Sequence, residues 1–200
     1  NVDEAALPWR GYWWPYKGRP LAGTSRSPLA KYDRYVAARA GRSPGAQRWE
    51  NTSNHVYKGI EWEGHCNGWV ASAILRQEPS FSRQDAVSGV TFTLQDQKGI
   101  LAEADYCPST AFFGTRYRGS GTDIRDIYPA DFHKVLTYYI GQIGKPIGMD
   151  YKRDSSVDNH IISGYKMDIQ ETGSNNYTVT AVLTIHRYDN NMNVSPGVAP

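Results

Sequence analysis

Trp62-Glu63-Gly64-His65-Cys66-Asn67-Gly68-Trp69-Val70-Ala71-Ser72 is the stretch on which the reading of this 200-residue chain turns. Small residues crowd a cysteine that stands where an apolar helical run begins. Val70, Ala73, Ile74 and Gln77 share one face, so the spacing predicts a helix from about Cys66 to Gln77, stopped by Pro79. A thiol at a helix N-terminus has its thiolate favoured by the helix dipole. Ninety-four positions on (160 − 66), Asn159-His160-Ile161-Ile162-Ser163-Gly164-Tyr165 sets a histidine at the head of an apolar strand. An imidazole beside that thiol would favour its ionised form and carry its proton. Cys66 and His160 therefore read as a nucleophile and its base.

Outward from the pair, helices come first and strands last. Ser27-Pro28-Leu29-Ala30-Lys31-Tyr32 opens a helix with a cap residue and a proline in the first turn. Residues 41–59 are polar and glycine-bearing and read as loop. Thr93 caps a helix predicted over Leu94 to Tyr106, and Pro129 starts an amphipathic one to about Ile143. Lys145 to Asp150 is a short strand. His160 to Ile169 and Tyr177 to Tyr188 are rich in β-formers and joined through Gly173-Ser174-Asn175-Asn176, which predicts a hairpin. The fold class is α+β, in a single domain over residues 1–200. Residues 1–26, with Trp9, Tyr12, Trp13, Trp14 and Tyr16 among prolines and glycines, form an extended arm. Its rings either pack on the domain or offer a carbohydrate- or wall-binding strip. Residues 190–200 are a tail.

The hairpin register also supplies an orienting group for His160. A turn centred near residues 173–174 makes paired positions sum to about 347, which places His160 opposite the neighbourhood of His186 and Asp189. Either can hold the imidazole, Asp189 by charge and His186 by hydrogen bonding.

Composition excludes several classes. The net charge of +2 is nearly balanced and no Lys/Arg run forms a nucleic-acid track. No segment approaches the roughly 20 apolar residues that span a bilayer. The 19 Gly, 11 Pro, 14 Tyr and 6 Trp suit a secreted or wall-associated protein, and a chain starting at Asn1 suggests processing or excision. The two cysteines, Cys66 and Cys107, allow a disulfide as the rival to a free nucleophile. Cys107, before Pro108, otherwise reads as a buried small hydrophobe. No histidines stand at i, i+4 and no phosphate-binding glycine loop occurs, so neither a metal nor a cofactor is indicated. His133 reads as a packing residue within its helix, His55 has no evident partner, and Arg116 is structural or positions substrate.

These residues resemble two known patterns. The Cys66 stretch is similar to the nucleophile segment of papain-type enzymes, and Asp158-Asn159-His160-Ile161-Ile162-Ser163-Gly164-Tyr165 to their histidine strand. A closer resemblance is to the transglutaminase elicitor family of oomycete plant pathogens and some marine bacteria. It rests on Tyr12-Trp13-Trp14-Pro15-Tyr16, Ser27-Pro28-Leu29-Ala30-Lys31-Tyr32, Trp62-Glu63-Gly64-His65-Cys66-Asn67-Gly68-Trp69, Gly89-Val90-Thr91-Phe92, Gly114-Thr115-Arg116-Tyr117 and Pro129-Ala130-Asp131-Phe132-His133, in consistent order. The resemblance implies a papain-like fold, with N-terminal helices packed on a C-terminal antiparallel sheet. It also implies crosslinking of Gln to Lys on protein or peptide substrates outside the cell. Ca²⁺ use would be optional, since the residues themselves do not point to it.

Two departures stand out. Oomycete members carry Gln where this chain has His160. The oxyanion-stabilising Gln six residues before a papain-type cysteine is here Ile60. The Cys66 backbone N–H must then serve, with the Trp62 indole or the Asn54 amide as second donor, while His65 and Trp69 line the site. Two rivals remain open. Water could resolve the thioester, making the chain a papain-like cysteine protease, a deamidase or a toxin-like peptidoglycan amidase. Alternatively, the chain could be a non-enzymatic secreted elicitor or wall-binding module with Cys66 and Cys107 bridged.

Overall fold

The computed structural model describes residues 1–106, 110–115, 126–152 and 154–189. Helix α1 (Pro28–Ala40) has Pro28 in its first turn and ends at Gly41, whose φ of 71° gives the left-handed cap that a side chain would strain. Within the stretch expected to be loop, residues 46–54 are helical instead. Helix α2 (Ala46–Trp49) continues into a wider π-helical turn, Glu50–Asn54. The side chain of Asp33 on α1 explains the start, because its carboxylate accepts from the backbone N–H groups of Ala46 and Gln47. That tertiary cap has no local sequence signature.

Helix α3 (Cys66–Leu75) is apolar around most of its circumference and buried accordingly, with Trp69 fully inaccessible. Helix α4 (Leu94–Ala104) carries a complete capping box between Thr93 and Asp96. The α3–α4 crossing is close because Gly68 lacks a side chain: a Cβ there would lie 2.0 Å from the Ala102 carbonyl oxygen. Two short strands, β1 (Arg83–Gln84) and β2 (Thr91–Phe92), pair between these helices. Helix α5 (Pro129–Val135) runs on as a π-helical turn, Leu136–Gln142.

The C-terminal sheet has the order β3 (Ile147–Asp150), β4 (Asn159–Gly173), β5 (Asn176–His186), all antiparallel. Ile161 pairs with His186 and Ile162 with Ile185, sums of 347, and an irregularity between Ile162 and Gly164 shifts the ladder by one. Successive residues of β4 face opposite sides. Ile161 packs with Trp69, Val70 and Ala73 of α3, and Ile162 with Leu136 and Ile140 beyond α5. The sheet is therefore covered on both faces near the start of β4, where the chemistry-bearing residues lie. The N-terminal arm completes the first core: Trp9, Trp14, Leu21 and Ala22 are buried in it. Its rings serve packing, and the Trp69 indole donates to the Trp9 carbonyl at 3.3 Å. Helices precede an antiparallel sheet that they cover, an α+β arrangement. No described helix is long and apolar enough to cross a membrane.

Candidate active site

Cys66 is the first residue of α3 and a free, buried thiol. Cys107, and with it the proposed bridge, lies outside the described residues, as do Arg116 and the tail from 190. The thiol sits against the first residues of β4 and the loop before them. Its Sγ lies 3.7 Å from the Val157 carbonyl oxygen, and the Asn159 side-chain amide donates to it at 3.6 Å. Burial pushes the thiol above its ordinary range, and the charge of Asp158 adds to that. The backbone and side-chain amides of Asn159 and the backbone N–H of Asn67 pull it back without reversing the shift. The resting group is a neutral thiol, and ionisation requires a base.

Asp158, Asn159 and His160 arrive together because β4 begins beside α3. His160 is buried between the rings of Tyr151 and Tyr188, both centred 5.1 Å away, with Tyr188 stacked at 21°. Its Nε2 lies 3.6 Å from Asp158 Oδ2, and its Nδ1 is buried without a hydrogen-bond partner. Burial lowers the imidazole below its ordinary value, against the pull of Asp158, so it is neutral near pH 7. Burial raises the Asp158 carboxyl. Hydrogen bonds from Lys152 and the Tyr188 hydroxyl outweigh that and hold it below its ordinary value, and a protonated His160 would lower it further. Tyr188 is pushed up by burial first and then by Asp158, and a thiolate at Cys66 would push it the same way. Cys66, Asp158, Asn159, His160 and Tyr188 form one electrostatically connected group. Cys66 and His160 share no hydrogen bond in this resting arrangement, as is common before substrate tightens a site.

Several expected site residues are placed elsewhere. His186 pairs with Ile161 and its Nε2 meets Ser163 Oγ at 2.6 Å, so it holds Ser163 and not His160. Asp189 is tied to the arm: its backbone N–H donates to the Gly11 carbonyl at 2.8 Å and it bridges to Tyr12. The carboxylate beside His160 is Asp158, two residues away in sequence, a position that a cross-strand register argument does not sample. The Trp69 indole is consumed by Trp9. The Asn54 amide is turned to Glu50 and Glu103, at 3.0 and 3.2 Å. Asn54 is therefore engaged away from the thiol; the amide that reaches the sulfur is Asn159. Trp62 is half-buried, in the turn leading to α3.

His65, expected to line the site, turns away from the thiol to a buried group with Glu50, His55 and Glu103. Burial would lower the His65 imidazole, but Glu103 and Glu50 raise it to about 9. Burial would raise Glu50, but His55 and His65 bring it down to about 2. Among the described residues this is the cluster with metal-ligand geometry, and it does not fit calcium, which takes six to eight oxygens and not imidazole nitrogens. No spacing motif announces it, because the four residues come from three separate segments.

Comparison with known proteins bears on both fold and family. The family profile described as transglutaminase elicitor matches residues 22–196. The chain is similar in structure to the GP42 transglutaminase from Phytophthora sojae, with a TM-score of 0.53 and 19% sequence identity. The match covers 83% of this chain and 55% of that one. At that identity the likeness speaks for the fold, and the chain spans about half the length of that solved structure. No curated protein sequence matches the chain.

Proposed function

Because the chain belongs to the transglutaminase elicitor family, we propose that it is a thiol-dependent acyltransferase in which Cys66 attacks a glutamine carboxamide. The observation that carries this reading is the buried cysteine at a helix start whose sulfur accepts from the Asn159 amide, with Asp158 and His160, themselves 3.6 Å apart, on either side of that asparagine in the sequence. Each residue has a role that its position supports. The unpartnered Nδ1 of His160 takes the thiol proton, and Asp158 at Nε2 stabilises the imidazolium that forms. Sγ bonds to the carboxamide carbon. The resulting oxyanion is met by the Cys66 backbone N–H and the Asn159 amide, which takes the place of the donor missing at Ile60. His160 returns the proton to the leaving nitrogen, ammonia departs, and a thioester remains on Cys66. A lysine amine then attacks the thioester, passes its proton through His160 to the sulfur, and leaves as the crosslinked amide.

Tyr188 stacks on His160 and donates to Asp158, so it fixes both partners of the base. The natural substrates would be extracellular proteins or peptides bearing accessible Gln and Lys, the expectation that the family carries. The fold on this reading is papain-like and residues 1–200 act as one catalytic domain.

The test measures ammonia release from a glutamine-bearing peptide, with and without a primary amine, together with incorporation of that amine. Ammonia release with matching amine incorporation supports the reading. Equal ammonia release with no incorporation makes water the acceptor and the chain a deamidase. Full activity in Cys66→Ala removes the thiol from the chemistry.

A further inference from the structure

The group around His65 takes no part in the chemistry above, and its geometry has a separate consequence. Glu50 and His55 come from the π-helical turn after α2, His65 from the residue before α3, and Glu103 from the last turn of α4. One donor atom from each lies within 4.8 Å of all the others. His65 and Glu50 are fully buried, and the side chains of His55 and Glu103 are 8% and 14% exposed. Two carboxylates and two imidazoles removed from water need either mutual pairing or a cation.

The pairing is complete between Glu50 and His55 but not between His65 and Glu103. His65 Nδ1 lies 3.0 Å from the Trp14 carbonyl oxygen, which can only accept, so Nδ1 carries a hydrogen and Nε2 faces the cluster. That Nε2 is 2.8 Å from Glu103 Oε2 and 3.1 Å from Glu50 Oε1. Despite these short distances, His65 Nε2 and Glu103 Oε2 are both buried without a hydrogen-bond partner. The atoms are close but not aimed at one another, as donors are when they converge on a common centre. His55 Nδ1 joins them, within hydrogen-bond distance of Glu50 Oε2 at 2.9 Å, Glu50 Oε1 at 3.2 Å and Asn54 Nδ2 at 2.7 Å, and 3.9 Å from Glu103 Oε2.

The surroundings hold the donors in place. Asn54 Nδ2 binds Glu50 Oε2 and Glu103 Oε1, leaving Glu50 Oε1 and Glu103 Oε2 turned to the interior. Tyr16 stacks on His55, Tyr106 packs 3.9 Å from the same ring, and the two tyrosine hydroxyls bond each other at 2.6 Å. Hydrogen bonds to the Nδ1 of one ligand and to the outer oxygens of the carboxylates are the usual means of orienting metal ligands.

We propose that Glu50, His55, His65 and Glu103 bind one divalent transition-metal ion, Zn²⁺ by their donor set, and that this ion fixes the start of α3. Two nitrogens and two oxygens suit tetrahedral zinc, and four protein ligands close the coordination sphere, as in structural sites. His65 immediately precedes Cys66, so the ion ties the residue before the thiol to α4 and to the turn after α2.

The test uses Co²⁺ as a visible stand-in for zinc on the full chain dialysed against EDTA. The titration should give visible d–d bands that saturate at one equivalent and vanish on adding one equivalent of Zn²⁺. Zn²⁺ at about a hundred times its dissociation constant should raise the Tm by roughly 5–10 °C. His55→Gln and Glu103→Gln should abolish both effects. Bands that persist unchanged in those variants would overturn the assignment of ligands. Should the variants fail to fold, the native chain still decides. Absence of bands together with one Tm in Zn²⁺ and in EDTA would overturn the proposal and leave an imidazolium–carboxylate network in its place.

Discussion

Gly68→Ala sets two physical effects against each other with opposite signs. Gly68 lies inside α3, with no positive φ, so alanine should help the helix by about 0.8–1.0 kcal/mol. The contact across to α4 opposes this. The new Cβ would lie 2.0 Å from the Ala102 carbonyl oxygen, 2.9 Å from its carbon and 3.3 Å from Tyr106 Cα. All three are backbone atoms, so no rotamer can relieve the overlap and the helices must part by about 1 Å. Overpacking of this kind costs typically 1–3 kcal/mol, and a backbone clash belongs at the upper end. The net loss is about 2 kcal/mol, a fall in Tm of about 4–8 °C for a chain of this size. Gly99→Ala in α4 is the control. Its Cβ meets Leu21 Cδ1 and Trp14 Nε1 at 3.0 Å, side-chain atoms of which the leucine can yield. Clash and helix propensity then nearly cancel, and the Tm should move by less than about 2 °C. Calorimetry on both variants reads the stability. Amine incorporation reads the position of Cys66, two residues before Gly68, where a shift of about 1 Å costs on the order of 10²-fold. A Gly68→Ala protein with raised Tm would refute the close α3–α4 crossing.

Three further outcomes follow from the same structure. Lys98 Nζ is wholly buried, 2.6 Å from both Glu78 Oε1 and the Arg10 carbonyl. Glu78→Gln should leave that cation with the carbonyl and the Trp9 ring, and thermal melts should fall by roughly 6–12 °C, the low end of breaking a buried pair at about 3 kcal/mol. Asn159→Ala should lower kcat for amine transfer by about 10²–10³-fold with KM little changed, as for loss of an oxyanion donor, and an unchanged kcat would remove that role. His160 has its pKa lowered by burial below the ordinary 6.5, so its neutral, base-competent form is favoured by the fold. The stability contributed by that neutral form is present above pH 6.5 and lost as pH falls through the lowered value, and the acid limb of kcat/KM should fall in the same window. An acid limb with its midpoint above 7 would contradict the burial of this imidazole.

The elements with strong local signals were legible in the chain. Pro28 at a first turn, Thr93 at a helix cap, and Gly173-Ser174-Asn175-Asn176 between two β-forming runs each act within a few residues. The positions they mark hold in the structure. Even the pairing sum of 347 survives where Ile161 meets His186. What escaped were effects that only the fold creates. Residues 46–54 are polar and read as loop, yet they are helical because Asp33 caps them from another helix. The arm's sequence allowed either packing or an exposed strip, and the fold decides for packing: Gly11 admits Trp69 so closely that a Cβ there would lie 2.1 Å from the indole, and rings of the arm enter the core. The same distinction governs the site. Cys66 stands out because its neighbours are small and a helix follows. Asp158 was overlooked because the orienting group was sought across the hairpin and not on the approach to the same strand. The Glu50–His55–His65–Glu103 group joins three segments whose meeting no spacing encodes.

The central claim is that Cys66 carries an acyl group. Intact-mass spectrometry of the chain incubated with a glutamine-bearing peptide, before any amine is added, tests it directly. The account predicts an adduct of the peptide less ammonia that maps to Cys66, disappears on adding a primary amine, and never forms on Cys66→Ala. An adduct at another residue, or amine incorporation that proceeds unchanged in Cys66→Ala, would contradict it.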